Sequence, residues 1–240
     1  MHRAFERRAT YPVTPVASTD AAGERASHWN RVWSEREATR VSWYQPEPGL
    51  SLGLIETAGL PEGSRVLDVG GGASRLVDLL LDLKYRPGVL DVSEEALARA
   101  RERLGARATK VEWYRADVTR WDPPHRWDLW HDRATLHFLT DERDRQAYRA
   151  TLLRALQPGG CAVIAEFGPD GPTTCSGLPV HRWSAEELEA FLEPELRIEE
   201  KASEEHVTPS GAVQRFVVCR FRRRVPAISP DQGKATPAAK

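Results

Sequence analysis

The chain has 240 residues and a formal net charge of −1. That length supplies a full core for one domain, and the near-neutral balance argues against a nucleic-acid partner or an anionic membrane surface. Arginine outnumbers lysine 29 to 5, which reads as a compositional bias rather than a basic patch. No apolar run is long enough to span a bilayer, and the first residues lack the apolar core of a signal peptide. Cys161, Cys175 and Cys219 are too far apart to suggest a disulfide framework or a zinc site, so a metal is not expected. A cytoplasmic protein without a membrane partner, monomeric or a small homo-oligomer, is the expectation.

Residues 1–26 are polar, small and proline-bearing, and a disordered arm is expected there, as in the tail at 225–240. The domain is placed at 27–224, with 27–60 as an N-terminal helical lid. Ser27 to Glu37 reads as a short helix with Trp29 and Trp33 on one face, and Leu50 to Ala58 as a second, stopped by Gly59 and Pro61. Strand 65–69, helix 73–83, strand 88–91 and helix 94–104 follow. Ser93 is the expected N-cap of that last helix, with Glu94 and Glu95 in its first turn. Strands 111–115 and 127–131 lead to a helix from Asp141 to Leu156, ended by Pro158-Gly159-Gly160. The apolar run 161–167 reads as a central strand buried on both faces. A long loop at 168–183, helix 184–192 and strands 196–201 and 212–221 complete the domain. The alternation predicts an α/β fold with seven strands, mostly parallel, helices on both faces and right-handed crossovers. The connection Ala202 to Ser210 is too short for a crossover helix, so the last strand should run antiparallel.

Asp68, Asp91, Asp117 and Asp132 all fall at or just past strand ends, the edge where such sheets bind ligands. Val66-Leu67-Asp68-Val69-Gly70-Gly71-Gly72-Ala73-Ser74 reads as a strand running into a glycine turn. Glycines there let a ligand lie against bare backbone, beside the free N–H groups of the next helix. Asp91, one crossover later, suits ribose hydroxyls. The dinucleotide pattern is incomplete, because Arg75 stands where GxGxxG closes.

Taken together, Asp68-x-Gly70-x-Gly72, Asp91, Ala116-Asp117-Val118, Pro158-Gly159-Gly160 and the closing hairpin resemble the class I S-adenosylmethionine-dependent methyltransferases over about residues 27–221. The resemblance implies a Rossmann-like fold and S-adenosyl-L-methionine as cofactor. It implies that Gly70 and Gly72 admit the amino-acid end, that Asp68 anchors the loop, and that Asp91 with the adjoining Val92 takes the ribose. Asp117 and the Val118 N–H would meet adenine. Ser74, where many members carry a third glycine, can cap or touch a carboxylate.

The segment after the fourth strand, His131-Asp132-Arg133-Ala134-Thr135-Leu136-His137-Phe138, should face the transferred methyl. His131 and Asp132 are candidates for base or cofactor contact, Arg133 for steering an anion, and His137 for the substrate wall; a structural role is equally open for each. Trp33, Trp43 and Tyr44, with Trp29, form either a water-excluding lid over cofactor and substrate or ordinary packing. Cys175, in the long loop, is a candidate substrate contact. Two branches are similar: the thiopurine/thiol S-methyltransferases, through 131–136 and the Leu156–Gly160 turn, and elongation-factor lysine methyltransferases, in the N-terminal layout. The latter typically carry Asp-Lys-Gly-Thr where this chain has Asp132-Arg133-Ala134-Thr135. The expectation is methyl transfer to a small soft or anionic nucleophile of thiol or carboxylate type. The alternatives are a protein lysine N-methyltransferase, a cofactor-binding module without transfer, and a dinucleotide oxidoreductase.

Overall fold

Residues 66, 67 and 69 are apolar and almost wholly shielded, which marks the first strand as the middle of a sheet covered on both faces. The structure is a computed structural model and describes residues 21–226. In chain order the strands are β1 (Arg65–Val69), β2 (Arg86–Asp91), β3 (Glu112–Arg115), β4 (Trp127–Arg133), β5 (Leu156–Phe167), β6 (Thr174–Cys175), β7 (Leu178–Pro179), β8 (Leu196–Val207) and β9 (Val213–Arg223). The helices are α1 (Ala21–Glu35), α2 (Gly49–Glu56), α3 (Leu76–Asp82), α4 (Glu94–Leu104), α5 (Glu142–Ala155) and α6 (Ala185–Leu192). One sheet of seven strands has the order β3-β2-β1-β4-β5-β9-β8, with β6 and β7 as a separate small hairpin. Strands β1 to β5 pair in parallel, and β9 runs antiparallel to both β5 and β8, as expected from the short connection before it. No helix among the described residues is long and apolar enough to cross a membrane.

Local signals place the starts of α4, α5 and α6. The Ser93 hydroxyl accepts the Ala96 N–H at 3.2 Å and so caps α4. Asp141 caps α5 by accepting the Arg143 N–H, and Ser184 with Glu187 forms a reciprocal capping box on α6.

Several boundaries differ from the sequence expectation. Helix α1 begins at Ala21, inside the segment expected to be a disordered arm; residues 1–20 and 227–240 lie outside the described residues. Its inner face carries Val32 and Trp33, both buried, so tertiary packing carries the helix through a weak local pattern. Strand β4 continues to Arg133, which makes Asp132 and Arg133 strand residues. Strand β5 starts at Leu156, and its Pro158-Gly159-Gly160 stretch is absorbed where the β4–β5 register shifts between Trp127 and Leu129. Strand β8 takes in residues 202–207, which read as a polar connection. It is the sheet's outer edge, so polar side chains there meet solvent and paired charges such as Arg215–Glu205.

Candidate active site

The strand order reverses between β1 and β4, and a crevice opens at their carboxyl ends, as it does in open α/β sheets. It holds about 870 Å³ of empty space, solvent at its mouth included. One wall comes from the ends of β1, β2 and β3, through Gly70, Asp91, Val92, Asp117 and Val118. The other comes from β4, β5, β6 and β9, through Arg133, Thr135, Phe167, Cys175 and Phe216. Trp29 and Trp33 of α1 and Trp43 roof it, with the Trp43 ring 5.7 Å from Trp29 and 5.8 Å from Trp33, edge to face in both cases. A smaller cleft shares Trp33, Trp43, Gly70 and Arg133 and runs on to Tyr44, Asp68, Ser74 and His131.

The glycine turn is dictated by space. Gly70 has φ +63, and a Cβ there would sit 1.9 Å from Thr135 Oγ1. Gly72 has φ +48, and a Cβ would lie 3.0 Å from Asp91 Oδ2. The Gly72 backbone therefore packs directly against the Asp91 carboxyl and donates its N–H to it. Burial pushes that carboxyl up to about 7, the nearby Asp68 charge adds to the rise, and backbone N–H groups including Ser93's, at 2.7 Å, pull against it. No cation among the described residues forms an ion pair with Asp91.

Asp68 Oδ1 lies 2.7 Å from His131 Nδ1, while its other oxygen is buried without a partner. His131 Nε2 lies 2.9 Å from Ser51 Oγ, so with Nδ1–H donating to Asp68 the Nε2 accepts the Ser51 hydroxyl. Both ring nitrogens are thereby used. The Ser74 hydroxyl accepts the Leu76 N–H at 3.1 Å at the start of α3. Asp117 accepts from Arg25 Nε at 2.7 Å and from the Thr119 N–H and hydroxyl at 2.9 and 2.7 Å. Burial pushes the Asp117 carboxyl up, but these donors outweigh it and hold it below the usual range. Arg25 also reaches Asp144 at 2.8 Å, which straps α1 to α5 across the cleft.

Asp132, a candidate base or cofactor contact, and His137, a candidate substrate contact, are both turned away from the cleft. Asp132 is 0% exposed and lines neither cleft; its oxygens accept the Thr135 N–H at 2.9 Å and the Tyr148 hydroxyl at 2.7 Å. Because β4 continues past it between two strands, successive residues face opposite sides, and Asp132 falls on the core side. His137 is likewise 0% exposed, stacked on Phe167 at 4.6 Å with Nδ1 3.0 Å from Glu166 Oε2. Arg133 takes the cleft side. Its guanidinium lies 4.4 Å over the Phe216 ring and reaches Glu204 Oε2 and the Trp43 carbonyl, each at 3.3 Å, while Nη2 is buried without a hydrogen-bond partner.

Residues 66–160 match the family described as a methyltransferase domain. This segment belongs to a methyltransferase domain, whose sheet runs on beyond it through β8 and β9. The chain is 32% identical over 154 residues to the eEF1A lysine and N-terminal methyltransferase of Mus musculus, covering 59% of this chain and 22% of that protein. It is 30% identical over 135 residues to Thiocyanate methyltransferase 1 of Arabidopsis thaliana, covering 55% of this chain and 57% of that one. The fold is shared with the Burkholderia thailandensis 1,6-didemethyltoxoflavin-N1-methyltransferase, solved with 1,6-didemethyltoxoflavin and S-adenosylhomocysteine. That structure has a TM-score of 0.62 at 20% identity, over 90% of this chain and 94% of that one.

S-adenosylmethionine is the cofactor of this family, and the residues present fit it. Asp91 lines the cleft as a buried carboxyl with no ion-pair partner among the described residues, within reach of a ligand's hydroxyls. Asp68 offers a buried acceptor that lacks a donor, beside a cleft where the cofactor would bring an ammonium. Sequence reasoning missed Arg25, Glu204, Glu166, Phe167 and Phe216. Each meets its partners across long stretches of chain, and no local pattern distinguishes a core phenylalanine from one that lines a hole.

Proposed function

We propose that this domain transfers a methyl group from S-adenosylmethionine to a small nucleophile that arrives already ionised or soft, of thiolate or carboxylate type. When bound, the cofactor supplies an electrophilic methyl on a sulfonium; the acceptor's lone pair makes the new bond and the old bond's electrons stay on sulfur. In this reading Asp91 and Val92 hold the ribose, and Asp117 and Val118 the adenine. Gly70, Gly72, Ser74, Asp68 and His131 surround the amino-acid end, with Trp33 and Trp43 above it. Tyr44 and Cys175 border the acceptor.

The observation that carries the acceptor class is the makeup of the far wall. Among the described residues lining that half of the cleft, there is one cation, Arg133, and no carboxylate, imidazole or amine. An acceptor that must lose a proton meets no base there; Asp132 is buried in the core and His131 is engaged at both nitrogens. An anion instead meets a guanidinium. At about 4 Å and an effective dielectric constant of about 20, two unit charges interact by about 4 kcal/mol. That favours a thiolate or carboxylate and opposes a lysine ammonium, with Glu204 offsetting part of it. The tryptophan roof also suits an enclosed acceptor better than a protein surface. We place the activity in the cytoplasm, where its three free, buried cysteines stay reduced.

The test is transfer of labelled methyl from S-adenosylmethionine to panels of small thiols and carboxylic acids, run beside lysine-bearing proteins. Label is expected in the small-molecule fraction, rising with the ionised share of the acceptor. Label on protein lysines, with none on the panels, refutes the reading.

A further inference from the structure

Three consecutive backbone amides just past β4 donate to two buried carboxyl groups. The Thr135 N–H reaches Asp132 Oδ1 at 2.9 Å, and the Leu136 and His137 N–H groups reach the two oxygens of Glu166, each at 3.1 Å. Both acids are 0% exposed, and they stand on the adjacent strands β4 and β5. The turn they hold is not a relaxed one. Ala134 has φ 68, a left-handed conformation that costs a residue with a Cβ. The same turn seats the Thr135 hydroxyl on the Val69 carbonyl at 3.1 Å, against Gly70. It also brings Phe138 to 4.9 Å from Trp29. The wall facing the acceptor is thus a strained piece of backbone, and its amides are tied to acids behind it.

The charge balance is equally specific. Arg133 points to the cleft and makes its ion pair with Glu204; no lysine or arginine forms an ion pair with either acid among the described residues, and the one imidazole against them is His137, its Nδ1 3.0 Å from Glu166 Oε2. Two bare carboxylates cannot stand side by side in the core. Glu166, with two backbone donors, is the better site for the charge. Burial raises Glu166 as well, to about 8, against those donors, and pushes Asp132 well above its usual range with the Glu166 charge adding to the rise, so Asp132 is the better site for a proton.

We propose that Glu166 and Asp132 are positioning residues, a buried acid pair holding one proton on Asp132 that clamps the turn after β4 into the acceptor wall. Its consequence for turnover rests on the methyl-transfer reading above; the clamp itself does not. Tyr148 completes it by donating to Asp132, and it accepts the Trp130 indole N–H at 2.9 Å.

The experiment is amide hydrogen exchange by NMR on the full chain, paired with S-adenosylhomocysteine binding and turnover on the thiol and acid panels. Glu166→Ala should speed exchange at Leu136 and His137 at least 100-fold over the sheet amides. It should lower kcat at least tenfold while the S-adenosylhomocysteine dissociation constant moves less than threefold. Asp132→Ala should do the same at Thr135. Asp132→Asn should recover more of both readouts than Asp132→Ala, because an asparagine keeps a donor for Glu166 and an acceptor for Thr135 and gives up only the acceptor that the Tyr148 hydroxyl uses. Glu166→Gln keeps the shape if the alanine variant fails to fold, and should still free one of the two amides. Unchanged exchange at Leu136 and His137, loosening spread evenly through the sheet, or Asp132→Asn as damaging as Asp132→Ala each overturns the clamp. A folded wild-type protein that transfers no methyl group overturns the functional reading instead, and the exchange arm then decides the clamp alone.

Discussion

Replacing Asp91 by asparagine isolates the one carboxyl in the cleft whose charge depends on pH in the working range. Burial raises it to about 7, so the free protein holds it mostly protonated at pH 6 and mostly ionised at pH 8. Ribose hydroxyls donate better to the ionised form, so cofactor binding draws the proton off and the sign is fixed: affinity rises with pH and levels above about 7. The ionised fraction goes from about 0.1 at pH 6 to about 0.9 at pH 8, which makes the affinity roughly tenfold greater at pH 8. Asp91→Asn removes the charge and with it a hydrogen bond to a charged group, about 1.5–3 kcal/mol, or roughly ten- to a hundredfold in dissociation constant at pH 8. Calorimetric titration with S-adenosylhomocysteine at pH 6, 7 and 8 measures both. A wild-type affinity that stays flat across that range refutes the argument, as does a pH slope that survives in the asparagine variant and so belongs to another group.

Two further outcomes follow from neighbouring contacts. Arg25 occupies the Asp117 carboxylate at 2.7 Å, and on the proposed adenine role of Asp117 it must yield before the cofactor seats. Arg25→Ala should raise the association rate of S-adenosylhomocysteine about tenfold, the equivalent of one exposed-side charged contact, as read by stopped-flow tryptophan fluorescence; a slower or unchanged rate rejects the competition. Gly70→Ala puts a methyl 1.9 Å from Thr135 Oγ1 at φ +63. It should lower stability by about 2–4 kcal/mol in urea unfolding, and a variant as stable as the wild type contradicts the packing described.

What the chain discloses locally is the part of the fold built from local rules. The β1 glycine turn, the Ser93 cap and the antiparallel last strand follow from residue spacing, and all stand in the structure. The end of β4 does not, because the residues past the expected end at 131 are Asp132 and Arg133, polar groups that look like loop yet pair with β5, Asp132 with β1 as well. Successive side chains of a strand face opposite sides, so a strand that runs on past His131 turns Asp132 away from the cleft and Arg133 toward it. That is why Asp132 looked like a base and stands in the core, while Arg133 reached the cleft as expected. The start of α1 was equally hidden. Its small residues carry little pattern, and the contacts that hold it, Arg25 to Asp117 and to Asp144, join distant parts of the chain.

The indoles of the roof have an optical consequence. Trp43 stands edge-on between Trp29 and Trp33, close enough for their ultraviolet transitions to couple, with one neighbour on each side. The chain's other tryptophans, at 113, 121, 127, 130 and 183, lie outside the cleft lining. Any molecule that slides under the roof and tilts one ring changes that coupling while the rest of the indole spectrum stays still. Near-ultraviolet circular dichroism can therefore follow occupancy of this cleft without a label, using chromophores the protein already places at its mouth.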